Sequence, residues 1–323
     1  MKAVLVEALD GPQALQVRDL PQPEHGPDQV LIDVAYAGVT FPDLLLTRGL
    51  YQVRPPLPFT PGSEVSGTVV FAPEGSDLQP GDRVLAFSLI GGFAEQLLVS
   101  DLTTFVIPDN VSLEAAAAVP MNYFTMQFGL VRRGGIRPGD RVLVHGAAGG
   151  IGTASIQLAK MYGAEVIAVV STPEKGEVAL AAGADHAVAA EGFLEEVRSI
   201  TRGEGVDIVV DPVGGDRFTD SLRSLAPEGR LLVVGFTGGE IPTVKVNRLL
   251  LNNIGVLGVG WGAFLFKHPD SVTAQWADIS RGLESGALDP VLGQTFDLDD
   301  AAQAVSSIEQ RAAMGKQLIR CSA

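Results

Sequence analysis

Two hydrophobic rhythms divide the chain. Up to about residue 119, short apolar runs such as QVLIDVAYAGV, GTVVFA, DRVLAFS and AEQLLVS are separated by the Pro/Gly turns GPDQ, TPGSE and QPGD. Short runs closed by turn residues predict a compact, mostly β domain. From Pro120 onward the rhythm changes to strand-like runs (DRVLVHG, AEVIAVVS, HAVAA, VDIVVDPVG, GRLLVVGF) alternating with helical ones (GGIGTASIQLAKMYG, PEKGEVALAAG, FLEEVRSIT, DRFTDSLRSL). Strands that are apolar on both faces, with helices between them, predict a parallel sheet covered on both sides. After Trp261 come a helix (PDSVTAQWADISRGLESG), a strand (VLGQTF), a helix behind the acidic cap DLDD (AAQAVSSIEQ) and a strand (KQLIRC). This tail is assigned back to the first domain. The expectation is an α/β chain with a β domain at 1–119 and 262–323 and a doubly wound parallel-sheet domain at 120–261.

One stretch tests that division. Residues 249–266 run eighteen positions without a charge, close to the length that spans a bilayer. The stretch carries Asn252, Asn253 and glycines at 255, 258, 260 and 262. Its IGVLGVGW portion therefore reads as a buried or interface strand, and residues 254–259 would form the exposed edge of the second sheet, where copies of a chain pair. A homodimer is expected. The N-terminal MKAVLVEALDG alternates like a strand and lacks the continuous apolar core of a signal peptide.

Composition narrows the partners. A chain of 323 residues, 46% of them hydrophobic, can fill two cores. With 23 basic against 38 acidic side chains the net charge is −15, which repels a phosphate backbone and argues against nucleic acid. Cys321 is the single cysteine, so neither an internal disulfide nor a thiol zinc cluster can form, and a reducing, cytoplasmic setting fits.

The strongest motif runs from Val142 through His145, Gly146, Ala147, Ala148, Gly149, Gly150 and Ile151 to Gly152, an apolar strand passing through glycines into a helix. Such a loop lets the backbone approach a pyrophosphate and aims helix N-terminal amides at its charge. Ala147 stands where the first glycine of G-x-G-x-x-G would be, but the strand before, the helix after and the next strand supply the context the motif requires. About twenty residues on, an Asp or Glu at the second strand end would hold the ribose hydroxyls of NAD. Here the strand ends in Ser171, followed by Thr172 and Lys175. Two hydroxyls and a cation in place of a carboxylate favour the 2′-phosphate of NADPH.

Taken in order, GSEVSGTVVFAPEGSDLQPGDRV, the VHGAAGGIG loop, DPVGG and GRLLVVGF resemble the medium-chain dehydrogenase/reductase superfamily. YAGVTFPDLLLTRGLYQVRPPLPFTPGSEVSG resembles its quinone oxidoreductase, or zeta-crystallin-like, branch. The resemblance spans essentially the whole chain and implies a GroES-like β domain, a Rossmann cofactor domain and binding in the cleft between them. It further implies cofactor contacts from Thr125, from Gly235, Phe236 and Thr237, from Val259, Gly260 and Trp261 beside the nicotinamide, and from Lys316. Ala190 stands where relatives place an aromatic or basic group over the adenosine phosphate. Gly214 and Gly215 after Asp211 read equally as a cofactor-side turn or a structural one.

The zinc alcohol dehydrogenases of that superfamily place a cysteine and a histidine where this chain has Thr40 and Ser63. Neither hydroxyl suits zinc, and His25, His145, His186 and His268 show no ligand spacing. Hydride transfer without a metal then needs an acceptor that is already electrophilic, a quinone or an enone, with donors for its oxygen. Thr40, where relatives often have Asn, is expected to offer a hydroxyl. Tyr51 matches a tyrosine that enoyl-reducing relatives use as proton donor, and reads equally as a packing residue. The expected function is an NADPH-dependent, zinc-free quinone reductase, with an enoyl or alkenal reductase and a non-catalytic NADPH-binding protein as the alternatives.

Overall fold

The alternating runs of the first part of the chain fold as antiparallel strands. β1 (Lys2–Val6) and β2 (Leu15–Asp19) make a hairpin. β3 (Gln29–Gly38), β4 (Glu64–Phe71), β5 (Arg83–Phe87), β6 (Gln96–Ser100) and β7 (Thr104–Val106) belong to one larger sheet, with β3 pairing both β4 and β6. Val30, Ile32 and Val34 of β3, Val65 and Val69 of β4, and Val84 and Ala86 of β5 point into a common core, as a period of two requires. Two short helices interrupt the strands, α1 (Phe41–Thr47) directly behind β3 and α2 (Leu113–Ala117) at the AAAA run.

The second part of the chain begins with a helical stretch at residues 120–133, of which α3 (Thr125–Gln127) is the central, regular turn. β8 (Arg141–His145), β9 (Glu165–Val170), β10 (His186–Ala189), β11 (Val206–Asp211), β12 (Leu225–Val233) and β13 (Gly255–Gly258) form a parallel sheet in the order β10-β9-β8-β11-β12-β13. Their connections carry α4 (Gly150–Met161), α5 (Pro173–Ala181), α6 (Phe193–Ile200), α7 (Phe218–Ser224) and α8 (Asn247–Asn252). α9 (Trp261–Leu265) and α10 (Ser271–Glu284) follow β13. The chain leaves β8 first toward β9 and then, on the other side, toward β11. That reversal puts a topological switch point at the carboxyl ends of β8 and β11, where open α/β sheets bind ligands.

β14 (Leu292–Asp297), α11 (Ala301–Glu309) and β15 (Lys316–Arg320) return to the first sheet, with β15 antiparallel to β3. The structure, a computed structural model, describes residues 1–310 and 313–322. It divides into one unit of Met1–Met121 with Pro290–Ala323 and another of Asn122–Asp289.

The return therefore comes at 290 and not at 262, which corrects the expected boundary. The cause is α10. Its Val272 and Ile279 are fully buried, Gln275 donates to the Phe124 carbonyl and to Gln127 Oε1 at 3.0 and 2.9 Å, and Tyr162 at the end of α4 donates to Asp278 at 2.7 Å. Both faces of that network lie in the parallel-sheet unit. The uncharged residues 249–266 resolve into the end of α8, the edge strand β13 and α9. No helix among the described residues is long and apolar enough to cross a membrane.

Candidate cofactor and active site

In the parallel-sheet unit the glycine loop joins β8 to α4. The sharp turn is made by Gly146, at φ +59°, so the role expected of the first motif glycine has moved one residue ahead of Ala147. A Cβ on Gly152 would lie 2.4 Å from the Gly146 carbonyl and 2.6 Å from Ala147 backbone atoms, a distance no side chain tolerates. Gly152 thus sets how closely helix and loop pack. Ala147 and Ala148 are buried beneath the turn, while Gly149, Gly150 and Ile151 stay partly exposed. α4 starts at Gly150, so its first amides have no partner within the helix and face outward at its positive end. The helix itself is buried on nearly every side from Gly152 to Ala159.

A residue missed in the sequence lies beside this loop. Asn122 is 7% exposed, and a Cβ on Gly150 would meet its Nδ2 at 2.5 Å. Its carboxamide covers the first turn of α4, a proximity that only the fold creates.

At the end of β9, Lys175 Nζ lies 3.4 Å from Ser171 Oγ. The geometry follows from local sequence. Thr172 caps α5 by accepting from the Lys175 amide at 3.4 Å, and Pro173 starts the helix, which turns Lys175 back over the strand end. A hydroxyl and an ammonium therefore stand together where a carboxylate would select NAD. Ala190 is buried at the end of β10.

The loops after β11 and β12 interlock. Thr237 donates from its amide and hydroxyl to the Pro212 carbonyl at 3.0 and 3.1 Å, and a Cβ on Gly214 would stand 3.0 Å from the Phe236 ring. Gly235, Phe236 and Thr237 are all partly exposed. Asp211 Oδ1 accepts from the Val213 and Gly214 amides at 2.9 and 2.8 Å, which gives Asp211 and its glycines a turn-forming role. His145 is buried against Phe193 with Nε2 2.8 Å from Ser221 Oγ, and burial lowers its pKa to about 4. It is a neutral core residue.

Val259 is buried and Gly260 exposed after the edge strand, and Thr125 is half-buried. The Trp261 indole turns inward. Its Nε1 donates to Gln275 at 2.9 Å and its ring lies 5.6 Å from that of Phe124, so the side chain anchors α10, and the backbone around Gly260 is what remains accessible.

The β unit holds a second polar cluster, around the N-terminus of α1. Thr40 and Asp43 form a capping box, readable in the TFPD spacing. The Thr40 hydroxyl donates to Asp43 Oδ2 at 2.6 Å, the Thr40 amide reaches the same oxygen at 2.8 Å, and the Gly62 amide reaches Oδ1 at 3.0 Å. Asp43 is fully buried. Desolvation raises its pKa to about 6 even though these bonds and the Lys316 charge oppose it. The hydroxyl expected to serve an acceptor thus has its proton committed to Asp43 whenever that carboxyl is ionised.

Lys316, expected at the cofactor, makes an ion pair with Glu64, both nearly fully buried, and Glu64 Oε2 accepts from the Met121 amide at 2.7 Å. Gly38 makes room for the pair, since a Cβ there would meet Glu64 Oε1 at 2.5 Å and Lys316 Cε at 2.7 Å. Tyr51 is half-buried against the core, and burial followed by the Asp43 charge raises its pKa. Asp43 and Glu64 join Thr40, Tyr51 and Lys316 as candidates. A buried acid in a strand of Val, Ser and Gly was the available sequence signal for Glu64.

Comparison with known proteins agrees with both halves. Residues 26–109 match the profile of the alcohol dehydrogenase GroES-like domain and residues 150–278 that of the zinc-binding dehydrogenase. Quinone oxidoreductase-like protein 2 of Rattus norvegicus is 39% identical over 95% of this chain and 89% of its own. The quinone oxidoreductase of Homo sapiens is 31% identical over 99% and 97%. The chain belongs to the medium-chain dehydrogenase/reductase superfamily, in its quinone oxidoreductase branch. Among solved structures of that superfamily, a probable oxidoreductase from Mycobacterium abscessus superposes with a TM-score of 0.92 at 44% identity, covering 99% of this chain and 98% of that one. The quinone oxidoreductase of Thermus thermophilus, solved also in complex with NADPH, superposes at 0.86 and 34% identity, covering 99% and 100%.

The second profile's name raises zinc, and the donor set does not suit it. Thr40 is committed to Asp43, and the Ser63 Oγ is a buried neutral hydroxyl. Of the two acids there, Asp43 is taken up by Thr40 and the Gly62 amide and Glu64 is paired with Lys316. Hydroxyls are poor ligands for a metal that takes thiolate, imidazole and carboxylate.

Proposed function

We propose that this medium-chain reductase uses NADPH to reduce a small electrophilic acceptor, a quinone before an enone, without zinc. The observation that carries the cofactor half is the Ser171–Lys175 pair at the end of β9, next to a glycine loop packed closely enough for backbone to approach a pyrophosphate. The relative from Thermus thermophilus that was solved with NADPH supports it.

The bound nicotinamide supplies the hydride. The chain supplies the rest. Gly149, Gly150, Ile151 and Gly152 present amides to the pyrophosphate, with Ala148 as the floor of the turn. Gly235, Phe236 and Thr237 border the same switch point. Thr125, Val259 and Gly260 are assigned to the nicotinamide side. In the β unit, Thr40 and Tyr51 are assigned to the acceptor oxygen.

Removing the Lys175 charge removes a partly exposed, charge-assisted contact, which lies at the weak end of such bonds. Lys175→Ala should raise the Kd for NADPH about tenfold and leave that for NADH unchanged, as titration of nicotinamide fluorescence would show. Equal affinity of the unmodified protein for both cofactors would contradict the assignment.

The acceptor half rests on Tyr51. An enone leaves an enolate that needs a positioned acid, and removing one costs about 10² to 10⁴ in rate. A hydroquinone anion takes its proton on oxygen, to which Thr40 is assigned as well, so Tyr51 is not its sole donor. Tyr51→Phe should therefore lower kcat with a quinone only a few-fold. A fall of a hundredfold with an enal, together with poor quinone turnover by the unmodified protein, would favour the enone reductase.

We also assign homodimer formation to the β13 edge; in the neighbouring segments of chain, Leu250 and Leu251 of α8 and Phe266 after α9 are 76%, 73% and 90% exposed.

A further inference from the structure

We propose that Asp43 and Thr40 form a proton relay, in which the Asp43 carboxyl delivers through the Thr40 hydroxyl the proton that the acceptor oxygen takes up on reduction. The proposal rests on the reading of the chain as a nicotinamide-dependent reductase.

A capping box needs no burial, since an exposed Asp closes a helix N-terminus as well. This one has lost its water. Asp43 is 0% and Thr40 6% exposed, and their side-chain oxygens are 2.6 Å apart. A hydroxyl has one proton. With Asp43 ionised, that proton points at Oδ2 and Thr40 can offer an acceptor only lone pairs. With Asp43 protonated, the carboxyl donates to Thr40 Oγ1 and frees the Thr40 proton to point away. Thr40 is thus a donor only when Asp43 carries a proton.

The groups around Asp43 set that occupancy. Thr40 and Gly62 donate to it, Lys316 on β15 attracts it, and the Tyr51 phenol is close enough to feel its charge. The Lys316 cation is held by Glu64 on β4. Burial outweighs the favourable bonds and brings the titration to about 6, so both forms are populated near neutrality.

The step balances. Two electrons and one hydrogen reach the acceptor as hydride. The acceptor oxygen then forms an O–H bond as the Thr40 O–H breaks, the Asp43 proton moves to Thr40 Oγ1, and the electron pair of the broken Asp43 O–H stays on the carboxylate. Asp43 regains its proton from solvent by the same route in reverse, through the Thr40 hydroxyl, once the product has left.

The test is the pH dependence of kcat between pH 5 and 9, with saturating NADPH and a quinone, for the unmodified protein and for Asp43→Asn, Thr40→Val and Thr40→Ser. The unmodified kcat should fall with rising pH through a single group near 6. Asp43→Asn and Thr40→Val should lower kcat about 10- to 100-fold at pH 6, abolish that pH dependence and leave KM nearly unchanged, whereas Thr40→Ser should keep it. Asp43→Asn can hold the cap but has no proton to give. A flat profile in the unmodified protein, or a Thr40→Val variant that keeps kcat and its profile, overturns the relay. If Asp43→Asn does not fold, the Thr40→Val and Thr40→Ser pair decides. Failure of the unmodified protein to oxidise NADPH with any acceptor would instead overturn the functional reading.

Discussion

Replacing Lys316 by Met should destabilise the β unit by about 3–5 kcal/mol, the cost of leaving one member of a buried ion pair alone. Lys316 and Glu64 have side chains 5% and 0% exposed, so no water can take over from the missing ammonium. The stem of Met fills the space of the Lys stem, which keeps the loss electrostatic and not a cavity effect. The Glu64 carboxylate keeps the Met121 amide, but one hydrogen bond cannot offset a desolvated charge. Adding Glu64→Gln should recover more than half of the loss, because the double variant buries no charge. Urea denaturation of the unmodified protein and the two variants measures this. A loss under about 1 kcal/mol for Lys316→Met, or no recovery in the double variant, would show that the pair is open to solvent and contributes as little as a surface pair does.

Gly152→Ala should abolish dinucleotide binding. Its Cβ would lie 2.4 Å from a carbonyl oxygen and 2.6 Å from two further backbone atoms, none of which can swing aside as a side chain would. Either α4 shifts away from the loop, which moves the pyrophosphate amides by the ångström that matters, or the loop opens. Forced overpacking of this kind costs roughly 1–3 kcal/mol, and the displaced amides should weaken NADPH binding by a hundredfold or more. Gly149→Ala is the control for the fold alone, since Gly149 is itself assigned to the pyrophosphate. There the nearest atom outside its neighbours is the Gly146 carbonyl at 3.5 Å, an ordinary contact, so the fold should hold. Fluorescence titration with NADPH, alongside thermal denaturation, separates the two. Tight binding by Gly152→Ala would mean that the glycine serves no close approach.

How much of this was legible in the sequence depends on how local each feature is. The parallel sheet was readable because VLV, VIAVV and DIVV are apolar on both faces, and the glycine loop because strand, glycines and helix lie next to each other in the chain. The Thr40–Asp43 box was equally local, yet its burial was not. Spacing shows that the two side chains meet, and only packing shows that water is excluded. The return at 290 was hidden for the same reason. The amphipathic pattern of PDSVTAQWADISRGLESG says which face is buried but not against what, and the answer was the Phe124, Gln127 and Trp261 network far away in sequence. Lys316 was assigned by resemblance to the cofactor, and its partner Glu64 became visible only when β15 and β4 came to lie in one sheet on either side of β3.

The central claim, a reductase that takes hydride from NADPH to an electrophilic acceptor, is tested most directly by following nicotinamide absorbance with the unmodified protein. NADPH and NADH would each be supplied with a set of quinones and a set of enals. The account predicts steady oxidation of NADPH with at least one quinone, slower turnover of every enal, and a kcat/KM for NADH lower by about tenfold. Tight NADPH binding without oxidation by any acceptor would contradict it and leave a protein that binds the dinucleotide without turning it over.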